Sequence, residues 1–194
     1  MQPQTIKRWI LGLCLSGFCL ATSTAGADEK IGNFMLIDQH GKAMELYYHT
    51  DADVVVLMAH RRRSPLVAQS ARELLDIQKR FSGVRVFLIN AVNGEDRHAI
   101  RADMDSAGLD LRVLDDRARL VAESLQLTHA GQALVLDTKS WQVLYRGPVI
   151  AQAGDRSGPL ARAVADHLAG DPVRFASRAM PAEYDGEALA LSGA

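Results

Sequence analysis

The sequence predicts an α/β domain in which a mixed central sheet carries helices on both faces and begins with an N-terminal β-hairpin. Three observations predict it. Val54-Val-Val-Leu-Met-Ala59 is a continuous, mostly β-branched apolar run, the pattern of a strand buried on both faces. Runs of this kind alternate with segments of helical apolar spacing, as expected of parallel strands joined by helical crossovers. Towards the C-terminus two strand-like runs are separated only by Thr138-Lys-Ser140. That connection is too short for a crossover, so this pair is antiparallel.

Asn33–Ile37 and Ala43–Leu46 flank the polar Asp38-Gln-His-Gly-Lys42 and read as the hairpin. After the Val54–Ala59 strand, Ser64-Pro65 supplies a capping hydroxyl and a proline at the first helical position. Val67, Ala71, Leu74, Leu75, Gln78 and Phe81 follow at spacings of three and four, and Gly83 stops that helix. Val84–Asn90 is the next strand, and 96–107 a helix closed by Gly108. A short strand at 111–114, a helix at 117–125, strands at 133–137 and 141–146, and a helix at 158–169 complete the pattern. From Asp171 onwards Pro172, Pro181 and Asp185-Gly186 indicate an extended or mobile tail, in which Phe175, Met180 and Tyr184 are spaced among polar residues.

The whole chain has 194 residues, a formal charge of −1 and 48% hydrophobic residues. That balance excludes general nucleic-acid binding by charge and excludes a disordered chain. Its two cysteines, Cys14 and Cys19, both lie in the apolar run Trp9–Ala21, which follows Lys7-Arg8 and precedes Ala25-Gly-Ala27. A basic start, a short apolar stretch and an A-x-A site are the parts of a secretory signal. The run is shorter than the roughly 20 residues of a spanning helix. We therefore expect residues 1–27 to be a cleaved leader, 28–170 the domain and 171–194 the tail, in a periplasmic or secreted protein with no stable membrane insertion after signal removal. Leu13 and Phe18 precede the cysteines where lipidation needs a small residue. The chain from Asp28 to Ala194 then has no cysteine, and so no disulfide, thiolate or cysteine-held metal.

Several strings in this order resemble the redoxin family, the alkyl hydroperoxide reductase/thiol-specific antioxidant or peroxiredoxin-like proteins of the thioredoxin fold. They are Ile31-Gly-Asn-Phe-Met-Leu-Ile-Asp38 with Gly41, Val54–Ala59, Ser64-Pro65, Phe87-Leu-Ile-Asn-Ala91, and Leu127-Thr-His-Ala-Gly-Gln-Ala-Leu-Val-Leu-Asp137 followed by Tyr145-Arg-Gly147. The resemblance spans 31–168 and implies a thioredoxin-like fold. It also implies a redox cysteine directly before the helix-starting proline, where this chain has Ser64. The threonine that often lies three residues upstream is Arg61, and the family's proline before the Val-Leu-Asp strand, cis in thioredoxins, aligns with Gly131. A serine hydroxyl has no redox chemistry, so thiol peroxidase or disulfide reductase activity is not expected, and no cofactor is implied.

The candidate ligand-binding residues are those of this altered edge: His60, Arg61, Arg62, Arg63, Ser64, His129 and Gly131. Cationic side chains beside the unpaired N–H groups of a helix start can hold an anion, although three consecutive arginines cannot all face one ligand. His60 and His129 fall on loops that neighbour each other in a thioredoxin fold. Two imidazoles without a third ligand are an incomplete metal site. A serine hydrolase is disfavoured, because Pro65 offers no N–H for an oxyanion hole and no G-x-S-x-G elbow surrounds Ser64. Asp103, Asp105, Asp110, Asp115 and Asp116 read as solvated charge, with the last two favourably placed before a helix at Arg117. The expected function is a non-catalytic binding or accessory protein that takes a periplasmic protein or a small anion. The alternatives are a redoxin acting with a partner in periplasmic redox metabolism and a metal carrier through His60 and His129.

Overall fold

The computed structural model describes residues 29–150, 158–171, 176–177 and 188–189; the expected leader at 1–27, and Phe175, Met180 and Tyr184 of the tail, lie outside them. Eight strands form one sheet in the order β2-β1-β5-β4-β3-β6-β7-β8. They are β1 Met35–Asp38, β2 Ala43–Glu45, β3 Val54–His60, β4 Val84–Asn90, β5 Arg112–Asp115, β6 Gln132–Asp137, β7 Val143–Pro148 and β8 Ala176–Ser177. The helices are α1 Pro65–Arg80, α2 Arg97–Ala107, α3 Leu120–Ser124 and α4 Pro159–Leu168. β3, β4 and β5 run parallel, while β6 and β7 run antiparallel across the short turn. No helix among the described residues is long and apolar enough to cross a membrane.

All seven residues of β3 are buried, because the strand feeds two cores. Alternation sends Val54, Val56 and Met58 to one face, where they meet Val67, Leu74 and Ile77 of α1, Met104 of α2 and Leu160 of α4. Val55, Leu57 and Ala59 go to the other, against Leu46, Leu125 and Trp141. The Ser64 and Gly108 caps foreseen in the sequence are made: the Val67 N–H donates to Ser64 Oγ at 3.4 Å, and Gly108 closes α2 at φ +64°. Asp96, expected as the first residue of its helix, is instead its cap and accepts the Ala99 N–H at 2.8 Å.

The helix expected from Arg117 starts three residues later, at Leu120. Arg119 adopts φ +60°, a left-handed conformation that no helical run passes through. The orphan donors of α3 are served instead by Asp116, which is buried and accepts the Ala122 N–H at 2.7 Å. Asp116 is thus an internal cap and not solvated charge. Burial raises its carboxyl above the ordinary range, against the backbone donors of Ala122 and Val121.

Asp38 organises the hairpin. Its buried carboxylate accepts the N–H groups of His40 and Lys42 at 2.9 and 2.8 Å and pairs with Arg112 Nε at 2.7 Å. Desolvation opposes ionisation, but these donors together hold the carboxyl below its ordinary value. Asp38→Ala is expected to cost about 3 kcal/mol in urea unfolding, because two amides and a half-buried guanidinium lose their partner at once.

Both ends of the domain are tied in. Glu29 accepts the Val143 N–H on its carbonyl at 2.9 Å and pairs through Oε1 with Arg146 Nη2 at 2.7 Å. The expected tail touches the domain where 176–177 pair with β7 and where Ala188 bridges His129 in antiparallel sense. There the Leu189 N–H donates to the Thr128 carbonyl at 2.8 Å and the leucine joins the second core.

Candidate functional site

β3 and β4 end level with each other, His60 opposite Asn90. His60 continues the Val54, Val56, Met58 side of its strand, so its ring enters the face covered by α1 and α2. It is 2% exposed and Asn90 1%. Four buried polar atoms with no hydrogen-bond partner gather around these strand ends: His60 Nδ1, Arg62 Nε, Asn90 Nδ2 and Glu95 Oε2. Ser70 Oγ is the other such atom among the described residues. Buried polar groups are normally paired, so this concentration separates the strand ends from the rest of the interior.

The protonation states follow from burial. Desolvation is the main cause that lowers the His60 ring to about 4; Arg62 acts in the same direction, and Asp103 and Asn90 oppose it. Glu95 is raised, chiefly by burial, against Asn90, the Arg62 charge and backbone N–H, and Arg61. His60 is therefore a neutral imidazole near pH 7. Between the folded value of about 4 and the ordinary value of 6.5, the unfolded chain binds a proton that the folded chain does not. The ring consequently destabilises the fold as pH falls from 6.5 through 4, by up to about 3 kcal/mol. Above 6.5 it contributes no slope. Urea unfolding followed across this range should show wild-type stability dropping more steeply than that of His60→Gln. Parallel curves for the two proteins would contradict the depressed ring value.

Two of the three arginines line one cavity, and all three line a second. Arg61 and Arg63 line a cavity of about 230 Å³ with His60, Ser64, Val67 and Asp103, whereas the Arg62 backbone N–H serves the Glu95 carboxylate. Arg63 takes φ +57°, which reverses the chain before α1, and its N–H donates to Asp103 Oδ2 at 3.3 Å. A second, outer cleft of about 520 Å³ shares Arg61, Arg63 and Ser64 and adds Arg62 and Gln69. Ser64 caps α1 through its hydroxyl oxygen.

Gly131 lies beside this edge. Its N–H donates to the Ala59 carbonyl at 2.8 Å and its φ is +80°. The peptide bonds of the described residues are all trans. His129, by contrast, is held within its own turn: Nδ1 lies 2.9 Å from the Thr128 hydroxyl and the His129 N–H donates to Gln132 Oε1 at 3.3 Å. It is not among the residues lining the His60 cavity, and no group of three potential metal-binding side chains converges among the described residues.

Asn90, Glu95 and Asp103 were not legible as site residues. Asp103 had been expected on the surface with its acidic neighbours, yet it lines the cavity and holds the Arg63 backbone. The usable signal was Asn90, a polar residue ending a buried parallel strand, since ligands of α/β sheets collect outside the carboxyl ends of strands.

No family model and no curated protein matches this chain. Solved structures do. A hypothetical protein from Sinorhizobium meliloti superposes with a TM-score of 0.74 at 18% identity, over 87% of this chain and 96% of its own. A peroxidoxin, BcpB, from Mycobacterium tuberculosis gives 0.59 at 20% identity over 74% and 97%. A putative thiol:disulfide interchange protein DsbE from Chlorobium tepidum gives 0.61 at 17% over 73% and 97%. The chain has the thioredoxin-like fold.

Proposed function

We propose that this protein is an exported binding protein on a thioredoxin-like fold, which takes a small anion at the start of α1 and performs no thiol chemistry. The observation that carries this reading is the 230 Å³ cavity lined by His60, Arg61, Arg63 and Ser64, beside a His60 ring whose buried Nδ1 makes no hydrogen bond. Helix N–H groups and guanidinium groups favour negative charge, and a neutral imidazole adds a hydrogen bond without a second charge. The cysteine-free sequence from Asp28 supports the non-redox half of the proposal. Two measurements on the chain starting at Asp28, which contains every described residue, test it. Acetate titration is expected to move the backbone amide resonances of Arg61 to Leu66 saturably, and Arg63→Ala to weaken that response. Peroxide or disulfide reduction above a boiled control would overturn the non-catalytic reading, and amides indifferent to acetate and phosphate alike would overturn the anion site.

A further inference from the structure

We propose that Thr128 and Gln132 are positioning residues that hold the neutral His129 ring as its Nδ1–H tautomer, so that Nε2 is the ring atom that accepts a hydrogen bond. The inference is independent of the anion site at the start of α1.

The protons around this turn can be assigned one by one. Gln132 is buried, and its Oε1 receives the Thr128 N–H at 2.8 Å and the His129 N–H at 3.3 Å. Two backbone donors aimed at one atom identify it as the oxygen of the side-chain amide and not the nitrogen. Thr128 Oγ1 lies 3.1 Å from the same oxygen, which has no proton to give, so the hydroxyl donates to it. A hydroxyl has a single proton. With that proton on the side of Gln132, Thr128 Oγ1 meets His129 Nδ1, 2.9 Å away, as an acceptor. Nδ1 therefore carries the hydrogen of the neutral ring and Nε2 its lone pair. The opposite tautomer would turn the hydroxyl proton towards Nδ1 and leave two oxygens facing each other at 3.1 Å with no hydrogen between them.

The support of this relay is fixed by the sheet. Gln132 opens β6 and is paired with Pro148 of β7, and its own N–H donates to the His129 carbonyl at 3.1 Å. While the ring is neutral, a group that meets Nε2 must bring a hydrogen or a positive charge. The turn beside Gly131 thus suits hydrogen-bond donors and cations, the reverse of the negative charge favoured at a helix start.

The test is long-range proton–nitrogen correlation of the imidazole rings, on the chain starting at Asp28 at about pH 9, where ordinary imidazoles are neutral. His129→Gln identifies the signals of this ring by their loss. The wild type is expected to show His129 with Nδ1 protonated. Thr128→Val deletes the hydroxyl with little change of shape and is expected to lose the Nδ1–H signature as the major form, and Thr128→Ser to restore it. Should Thr128→Val fail to fold, the wild-type spectrum decides alone. A ring protonated on Nε2 in the wild type, or a tautomer unchanged in a folded Thr128→Val, would overturn the proposal.

Discussion

A Ser64→Cys substitution is expected to produce a thiol that ionises well below the ordinary cysteine value of about 8.5, reaching about 7 or lower. The side chain at 64 caps α1, where Ser64 Oγ accepts the Val67 N–H, and a thiolate is a better recipient of that donor than a hydroxyl. Arg61 and Arg63 line the same cavity and add positive charge. The chain from Asp28 has no other cysteine, so alkylation reads this one group. At pH 7 a thiol of value 7 is about half ionised, against a few per cent at 8.5, so the reactive fraction rises more than ten-fold. The rate of iodoacetamide labelling against pH gives the midpoint directly. A midpoint at 8.5 would show that neither the helix start nor the arginines act on position 64, and would weaken the anion site with it.

The second large effect is expected at Gly131. Restoring proline there, as the redoxin resemblance invites, should lower stability by about 3 kcal/mol or more, because proline fixes φ near −65° and the chain at 131 has φ +80°. Proline also removes the N–H that donates to the Ala59 carbonyl at 2.8 Å. For a domain of this size the corresponding loss in melting temperature is about 6–12 °C. Gly131→Ala keeps the N–H at the cost of a left-handed backbone for alanine, so its loss is expected to be smaller, about 1–2 kcal/mol. Equal melting temperatures for wild type and Gly131→Pro would mean that this loop rearranges freely. The glycine is therefore more than a missing proline: the edge has been rebuilt around a backbone that proline cannot adopt.

Much of the architecture was legible because its signals are local. The β-branched run of β3, Ser64-Pro65 and Gly108 each announce an element within a few residues, and the structure places each of those elements there. The start of α3 was misread because the pattern after Asp115 is compatible with helix while Arg119 turns left-handed, a choice made by the buried Asp116 reaching Ala122. The site was half legible. His60 and the arginines stand together in sequence, but Asp103 lies 40 residues from Arg63, its backbone partner, and Asn90 and Glu95 reach His60 and Arg62 only through the parallel register of β3 and β4. No local periodicity encodes such a meeting. It follows from which strands become neighbours.

The pairing of Glu29 with Arg146 bears on where an exported form of this chain can be trimmed. Arg146 is largely buried, its side chain 11% exposed, and Glu29 is the carboxylate on its Nη2. A cut after Ala27 leaves Glu29 as the second residue and keeps the pair, along with the Glu29 carbonyl that accepts the Val143 N–H. A cut two residues later removes both partners and leaves a guanidinium facing the interior without its carboxylate, which is among the costlier losses a small domain can take. The expected cleavage after Ala27 would thus fall two residues before the end of a side-chain pair that the sheet uses. Any aminopeptidase that nibbles past Asp28 would be reading the stability of the sheet as well as the sequence of the terminus.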